Sequence, residues 1–402
     1  MVKNKEHFFI LCLLFLCFLL LSPRAHAWAG YTHTLLAQES LRDVSRKWHL
    51  DAPVTITPFN NFLKKLSKEM PAIQTREDFA NWLKINPKAP FDSPRKGEKI
   101  GQTTSPLQIL VNYSPKPDDN RDKDLPYDRV EQFWFGKGTK TVSQAFRHME
   151  KPAFDLWHPL NTAGFPLGSI GQATKRAQIY FDLALLANHL QEPFWAWNFL
   201  GCALHYIEDL QQPYHSAQLL PPLAVDGVRA YFEWGFHEKF GLIKTVTHVA
   251  ANAHHFFEGY VDHILLMPGP LKGKDALSMG QLWREKLGGE TLLPNPPSIE
   301  FLAKGIRNFS NRYAFDTVQA TLRLTDHNLL GAREYHIDSE EEEGPSMMED
   351  PLPFFSADNQ KRSEAAAQIS KIVLSIFDYQ GKAIRRVIRD YLDQTANILT
   401  GP

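Results

Sequence analysis

Cysteine is scarce in this sequence, with three residues in a chain of 402. Two of them, Cys12 and Cys17, lie in an apolar stretch near the amino terminus, and only Cys202 lies outside it. Outside that stretch Cys202 has no second cysteine with which to form an internal disulfide. A chain of this length, with 43% apolar residues, can be stabilised by a large hydrophobic core instead.

Net charge is also small. Lys and Arg number 44 against 45 Asp and Glu, which gives −1 at pH 7. A chain this close to neutral offers no electrostatic argument for gripping a polyanion, so we expect no nucleic-acid partner. The acidic run from Glu340 to Glu343 is typical of a solvated face.

The main long apolar run is Phe8 to Leu21, which follows Lys3 and Lys5. Its length fits the central region of a secretory signal and is short for a membrane span. Ala25-His26-Ala27 then forms an A-x-A cleavage site. We expect residues 1–27 to be a cleaved signal peptide, no transmembrane segment after cleavage, and secretion through the periplasm. The alternative is an uncleaved anchor helix.

Alternation typical of β-strands is absent, and the patterned segments have helical spacing. Pro193 separates two of them, which predicts an antiparallel helix pair. The predicted helices are Ala173–Leu190, Phe194–Gln211, Leu242–Met267 and, as one or two helices, Ser363–Thr395. The sequence predicts a single all-α domain over residues 28–402, with loop insertions at about 268–297 and 337–353.

The familiar H-E-x-x-H protease signature is missing, because Lys239-Phe240-Gly241 follows His237-Glu238. Two other motifs combine imidazole with carboxylate. In "HYIEDLQQPYH", His205 and Asp209 share a helix face, and His215 follows a proline turn. In "HHFFEGYVD", His254 and Glu258 are again four residues apart. Such pairs suit zinc, since two side chains can meet one ion.

These motifs resemble those of the zinc-dependent bacterial phospholipases C, in particular the secreted Gram-negative branch. The same superfamily contains zinc-dependent single-strand nucleases. Its hallmark is a mature amino-terminal Trp whose amine and carbonyl oxygen bind zinc, which matches Trp28. "KPDDNRD" and "SQAFRHM" resemble two further family motifs and give Asp118 and His148. Asp119 and Asp122 remain alternatives to Asp118.

The resemblance implies three zinc ions and a set of nine ligands: Trp28, His33, Asp118, His148, His205, Asp209, His215, His254 and Glu258. By the family pattern, one ion takes Asp118, His148 and His205, with Asp209 bridging to a neighbour. That second ion also takes Trp28 and His33. The third ion takes His215, His254 and Glu258. Asp118 is the expected catalytic carboxylate, which would orient or deprotonate the attacking water.

The function that this resemblance implies is hydrolysis of glycerophospholipids, first of all phosphatidylcholine, to diacylglycerol and a phosphorylated headgroup. The expected protein is a monomeric virulence-type hydrolase acting at a membrane surface, with Tyr31 and Asp119 contacting substrate. Glu258 favours the lipase branch, since the nucleases tend to close this motif with Asp. Against this, "WAGYTH" resembles the nuclease start. The alternatives are a secreted single-strand nuclease and a non-catalytic, zinc-stabilised binding protein.

Overall fold

The structure is a computed structural model, and it describes residues 30–89, 92, 95, 97–119, 121–122, 145–151, 170–217, 252–266, 279–325 and 355–399. The expected signal peptide, Trp28 and the predicted insertion at 337–353 lie outside these residues. The structure is 70% helical and 3% strand, which confirms the predicted all-α fold.

The α-helices are numbered here in chain order. The amino-terminal half contains α1 (Gly30–Leu41), α2 (Phe59–Glu69), α3 (Arg76–Leu83), α4 (Pro106–Tyr113), α5 (Ala145–His148), α6 (Ala173–His189) and α7 (Pro193–Gln211). The remainder contains α8 (Pro213–Ser216), α9 (252–266), α10 (Met279–Leu287), α11 (Ile299–Asn311), α12 (Ala314–Leu324) and α13 (Asn359–Leu399). A 3₁₀ turn, Lys116–Asp118, follows α4.

Strand structure in the described part consists of two short antiparallel pairs. Strand β1 (Val54–Thr55) pairs with β2 (Thr103–Thr104), with Val54 opposite Thr104. Strand β3 (Glu150–Lys151) pairs with β4 (Ile170–Gly171), with Glu150 opposite Gly171. The second pair matters for the site, because it holds the segment directly after α5.

Side-chain caps set several helix starts. Thr75 accepts a hydrogen bond from the backbone N–H of Asp78, and the Asp78 carboxylate accepts one in return from the Thr75 N–H. Ser105 and Ser298 cap α4 and α11 in the same way, through one hydroxyl oxygen each. Pro193 occupies the first turn of α7, where a missing N–H costs nothing.

Helix α7 forms the centre of the molecule. Every residue of this helix after Pro193 is buried. Helix α6 packs along it after a connection of only three residues, 190–192, which confirms the predicted antiparallel pair. Helices α4, α11 and α13 cover other sides of α7. A helix enclosed on all sides must be apolar around most of its circumference, as α7 is.

Helix α13 is a single helix of 41 residues that packs against α1. Nη1 of Arg385 donates to the carbonyl oxygen of Ser40 in α1, over 2.9 Å, and Nε donates to that of Thr291. Gly381 lies so close to α10 that a Cβ would stand 2.1 Å from the carbonyl oxygen of Leu287. Buried apolar residues from α1 to α13 form one continuous cluster.

The prediction of a loop at 268–297 was wrong over part of this segment. Helix α10 lies within it, and the Trp283 side chain is fully buried against α13, with Nε1 donating to Oγ of Ser370 at 3.2 Å. The proline and glycine content of the flanks concealed the helical spacing of Trp283 and Leu287. Within the described ranges, no helix combines the length and apolar character that crossing a bilayer requires.

Candidate metal centre

Eight of the nine expected ligands lie in the described part of the chain, and the structure brings them into two neighbouring clusters. The five-ligand cluster contains His33, Asp118, His148, His205 and Asp209, and the three-ligand cluster contains His215, His254 and Glu258. In each of three groups of three residues, one ligand atom per residue lies within 4.8 Å of the other two. His205 belongs to two of these groups, so the first cluster is continuous.

The ligands come from elements far apart in the sequence. His33 lies in the first turn of α1, Asp118 ends the 3₁₀ turn, and His148 ends the short helix α5. Helix α7 supplies His205 and Asp209 one turn apart, as their spacing predicted. All five side chains converge at the carboxyl-terminal half of α7, which is buried after Pro193.

Asp209 presents its two oxygens to different partners. Oδ2 lies 3.1 Å from Nδ1 of His148 and 3.1 Å from Nε2 of His205. Those two ring nitrogens are themselves only 2.8 Å apart. The second oxygen, Oδ1, lies 3.3 Å from Nε2 of His33. This arrangement suits a carboxylate shared between two adjacent ions.

Asp118 also reaches both sides of the five-ligand cluster. Oδ1 lies 3.4 Å from Nδ1 of His148 and 3.6 Å from Nε2 of His205, and Oδ2 lies 3.8 Å from Nε2 of His33. Its side chain is 15% exposed, whereas the three histidines are fully enclosed. Among the described ligands of this cluster, Asp118 is therefore the one that meets solvent.

The two alternatives to Asp118 lie elsewhere. Asp119 is 46% exposed and pairs with Nζ of Lys116 at 2.9 Å. Asp122 is fully buried behind the cluster, with Oδ2 at 3.4 Å from Nε2 of His148, the nitrogen opposite the one that faces Asp118. Of the three aspartates, Asp118 has the position of a ligand.

In the three-ligand cluster, Nε2 of His254 lies 2.7 Å from Oε1 of Glu258 and 3.1 Å from Nε2 of His215. His215 follows α7 and lies outside it, as expected, in the separate short helix α8. The side chain of Gln212 caps α8 by accepting from the backbone N–H groups of Tyr214 and His215. Its amide donates to Oε1 of Glu258 at 2.8 Å, so one residue fixes two ligands.

Sequence reasoning missed the groups that bind the imidazole nitrogens facing away from the clusters. Nδ1 of His33 donates to Oε2 of Glu208 over 2.6 Å, and Nδ1 of His215 donates to the carbonyl oxygen of His148 over 3.0 Å. A partner on the far nitrogen fixes the tautomer and orientation of a metal-binding histidine. The available signal was weak: Glu208 stands beside Asp209 in a helix that is otherwise apolar.

Asp122 has the same place behind His148, and it is held in turn by two donors. Nη2 of Arg176 donates to Oδ1 over 2.9 Å, and the Tyr206 hydroxyl donates to Oδ2 over 2.6 Å. Burial alone would raise the pKa of Asp122, but the Arg176 guanidinium and His148 lower it below its ordinary value. Asp122 is therefore a carboxylate that stays ionised in the interior.

Without a bound metal, two histidines of the five-ligand cluster form ion pairs with buried carboxylates. Burial by itself lowers the pKa of His33, but Asp209 and Glu208 outweigh it and raise the pKa to about 10. Burial likewise lowers the pKa of His148, and Asp122 and Asp209 raise it to about 10. At pH 7 these two rings are therefore protonated when no metal is bound. Metal ligation requires the neutral rings.

The buried ring nitrogens and carboxylate oxygens of the site are better placed to bind a metal ion than to form hydrogen bonds with one another. Nε2 of His33 and Oδ1 of Asp209 are buried and lie 3.3 Å apart, without the geometry of a hydrogen bond between them. The pKa of Glu258 is raised well above its usual value, first by burial. Buried carboxylates and imidazoles that converge in this way are the donor set of zinc and similar cations. The clusters can hold metal ions.

Other predicted residues have simpler places. Tyr31 is 40% exposed at the start of α1. Cys202 is buried, and its sulfur accepts a hydrogen bond from Nη1 of Arg121 at 2.9 Å. His255 is also buried, with its Nδ1 3.9 Å from Oε2 of Glu258, but it belongs to none of the three convergent groups.

The sequence matches no protein-family model. It likewise has no match among curated proteins of known function. The chain is an all-α protein whose buried histidine and carboxylate clusters can hold metal ions.

Proposed function

We propose that the protein is a secreted zinc metallophospholipase C that hydrolyses glycerophospholipids to diacylglycerol and a phosphorylated headgroup. The observation that supports this best is the convergence of eight ligands, from six separate elements, into two adjacent clusters. Purely structural zinc sites usually have four ligands and no solvent contact. A carboxylate-rich double cluster with a partly exposed Asp118 is instead suited to hydrolysis.

In this proposal, the five-ligand cluster together with Trp28 would hold two zinc ions, and the three-ligand cluster would hold a third. Bound zinc would lower the pKa of a coordinated water toward about 7 and neutralise charge on phosphoryl oxygens. The chain's own residues then have three tasks. Asp209 directs one oxygen to the side of His33 and the other to His148 and His205, and the ligand histidines stay neutral. Glu208 and Asp122 fix the orientation of the His33 and His148 rings.

Asp118 is the proposed catalytic carboxylate. It lies at the solvent side of the cluster, within 4 Å of three ligand histidines. A water entering the site would meet this carboxylate first, and Oδ1 or Oδ2 could accept its proton as the water attacks phosphorus. A general base needs this proximity before its pKa matters.

Asp119 and Tyr31 are the proposed contacts to the headgroup. Each is a near neighbour of a ligand in the sequence, and each is exposed. A carboxylate and a tyrosine ring can together hold a quaternary ammonium, by charge and by cation–π attraction. Phosphatidylcholine, presented at a membrane surface to a monomeric enzyme, is the proposed substrate.

The test is a side-by-side assay of the mature protein on a phospholipid panel and on single-stranded DNA, with bound zinc counted. We expect release of phosphorylated headgroup from phosphatidylcholine, loss of it on chelation, and loss of it in Asp118→Asn. His189→Ala is the matched control, because His189 is an exposed histidine at the end of α6. Hydrolysis of DNA alone would indicate the nuclease, and a zinc-loaded protein without turnover would indicate a binding protein.

A further inference from the structure

The first turn of α1 is attached at two consecutive residues to two different helices. Oγ1 of Thr32 donates to Oδ1 of Asp262 in α9 over 2.7 Å. Nδ1 of His33 donates to Oε2 of Glu208 in α7 over 2.6 Å. Thr32, His33 and Glu208 are fully buried, and Asp262 is 8% exposed.

Asp262 lies at the start of α1, where the local sequence supplies no side-chain cap. The first N–H groups of a helix lack partners within the helix, and a side chain just before it usually accepts from them. Trp28 and Ala29, which precede Gly30, have no side-chain acceptor. At this end of α1 lies instead the carboxylate of a residue 230 positions away, which accepts from the Thr32 hydroxyl. Its negative charge also complements the positive end of the helix dipole.

The two contacts point in different directions, because consecutive helical residues are about 100° apart. Thr32 is bound to α9, which carries His254 and Glu258, and His33 is bound to α7, which carries His205 and Asp209. The start of α1 is thus held between the helices that supply the two clusters.

We propose that Glu208 and Asp262 are positioning residues that together hold the first turn of α1 against the five-ligand cluster. Through this turn they fix Nε2 of His33 near Asp209. Neither residue is a metal ligand, and each acts through α1.

The experiment measures zinc retention by competition with a chelator, alongside a thermal melt of each metal-free variant. Asp262→Leu removes the acceptor for Thr32, and Asp262→Asn keeps one. Loss of a partner behind a metal ligand typically weakens binding 10- to 100-fold, and we expect a value in this range for Glu208→Leu. Asp262→Leu acts through Thr32, one residue from the ligand, so we expect a smaller loss there and almost none for Asp262→Asn. Glu208→Leu and Glu208→Gln should differ in the same order.

Two controls separate positioning from general damage. Asp316→Asn changes an exposed carboxylate on α12 and should leave zinc retention unchanged. Thr32→Val removes the other partner of Asp262, so its effect and that of Asp262→Leu should be non-additive if both act through one contact. Additive losses would overturn the proposal, as would wild-type zinc retention in a folded Asp262→Leu variant.

Because zinc retention is read without substrate, this result is independent of the proposed activity. A wild type that retains zinc in this pattern but hydrolyses no phospholipid would remove the phospholipase proposal and leave the positioning role. Full hydrolysis with unchanged zinc retention in both leucine variants would do the reverse.

Discussion

Nδ1 of His148 and Nε2 of His205 lie 2.8 Å apart, and Oδ2 of Asp209 lies 3.1 Å from each of them. Two imidazoles at this distance can share one proton, but a carboxylate oxygen equally near to both is the arrangement of ligands around an ion. His205 is also grouped with His33 and Asp118. It is the histidine whose loss should affect the five-ligand cluster most.

His205→Ala should therefore lose the metal of the five-ligand cluster and retain that of the three-ligand cluster. Metal content per chain, measured by elemental analysis after dialysis, checks this. His189→Ala should keep the wild-type content, since His189 is exposed and belongs to neither cluster. Unchanged metal content in His205→Ala would contradict the assignment.

Metal uptake should release protons. The pKa of His33 and of His148 in the metal-free protein is about 10, so at pH 7 each ring carries a proton that ligation must displace. Since both pKa values are raised, these pairs stabilise the metal-free fold fully below about 6.5 and lose that effect as pH rises through about 10. Metal affinity should accordingly rise between pH 6 and pH 8.

Calorimetric titration of zinc into metal-free protein, in two buffers of different ionisation enthalpy, counts the protons released. We expect about one from each of the two rings. A metal affinity that is independent of pH over this range would show that both rings are already neutral.

Arg176 should be a strong determinant of stability. It is a fully buried guanidinium paired with fully buried Asp122, and removal of one partner leaves an uncompensated charge. Arg176→Met should lower the free energy of unfolding by about 3–5 kcal/mol, measured by urea denaturation. Lys304→Met breaks the half-exposed pair with Glu300 and should cost less than about 1 kcal/mol. Equal effects would contradict the buried pairing.

Two helical glycines should respond to alanine in opposite ways. Gly305 in α11 has nothing within 4 Å of a new Cβ, so Gly305→Ala should stabilise the fold by about 0.5–1 kcal/mol through helix propensity. At Gly381 a Cβ would stand 2.1 Å from the carbonyl oxygen of Leu287. Gly381→Ala should therefore destabilise by about 1–3 kcal/mol. Parallel thermal melts compare the two, and a shift of the same sign in both would contradict the close approach.

A retained leader residue should reduce metal binding. If the free amine of Trp28 is a ligand, as we propose, one alanine left before it converts that amine to an amide, which does not bind zinc. Such a variant should bind one ion fewer and lose most hydrolysis. Wild-type zinc content together with wild-type turnover would remove Trp28 from the ligand set.

The sequence predicted what depends on local spacing. His205 and Asp209, like His254 and Glu258, are one helical turn apart, and periodicity alone places them on one face. The pair of α6 and α7 was marked by Pro193 between two apolar segments. Helix α10 was not found, because its few apolar residues are surrounded by glycine and proline, and only tertiary contact with α13 makes Trp283 a core residue.

Long-range partners were beyond local reasoning. Nothing in the spacing of Glu208 shows that it faces His33, and Asp262 meets Thr32 only because α9 folds against the start of α1. Asp118 could be distinguished from Asp119 and Asp122 only by the turn that contains it, which directs neighbouring carboxylates to different surroundings. Such residues become visible once the helices are packed.

The complete enclosure of α7 has a consequence for the production of this protein. Folding this helix takes Glu208 and Asp209 out of water together with His205, and bound cations are what compensate their charge best. Metal supply should therefore govern how much of the chain survives proteolysis, since an unfilled centre favours open states that proteases degrade. Cells grown under metal limitation should yield less of the protein, even where its synthesis is unchanged.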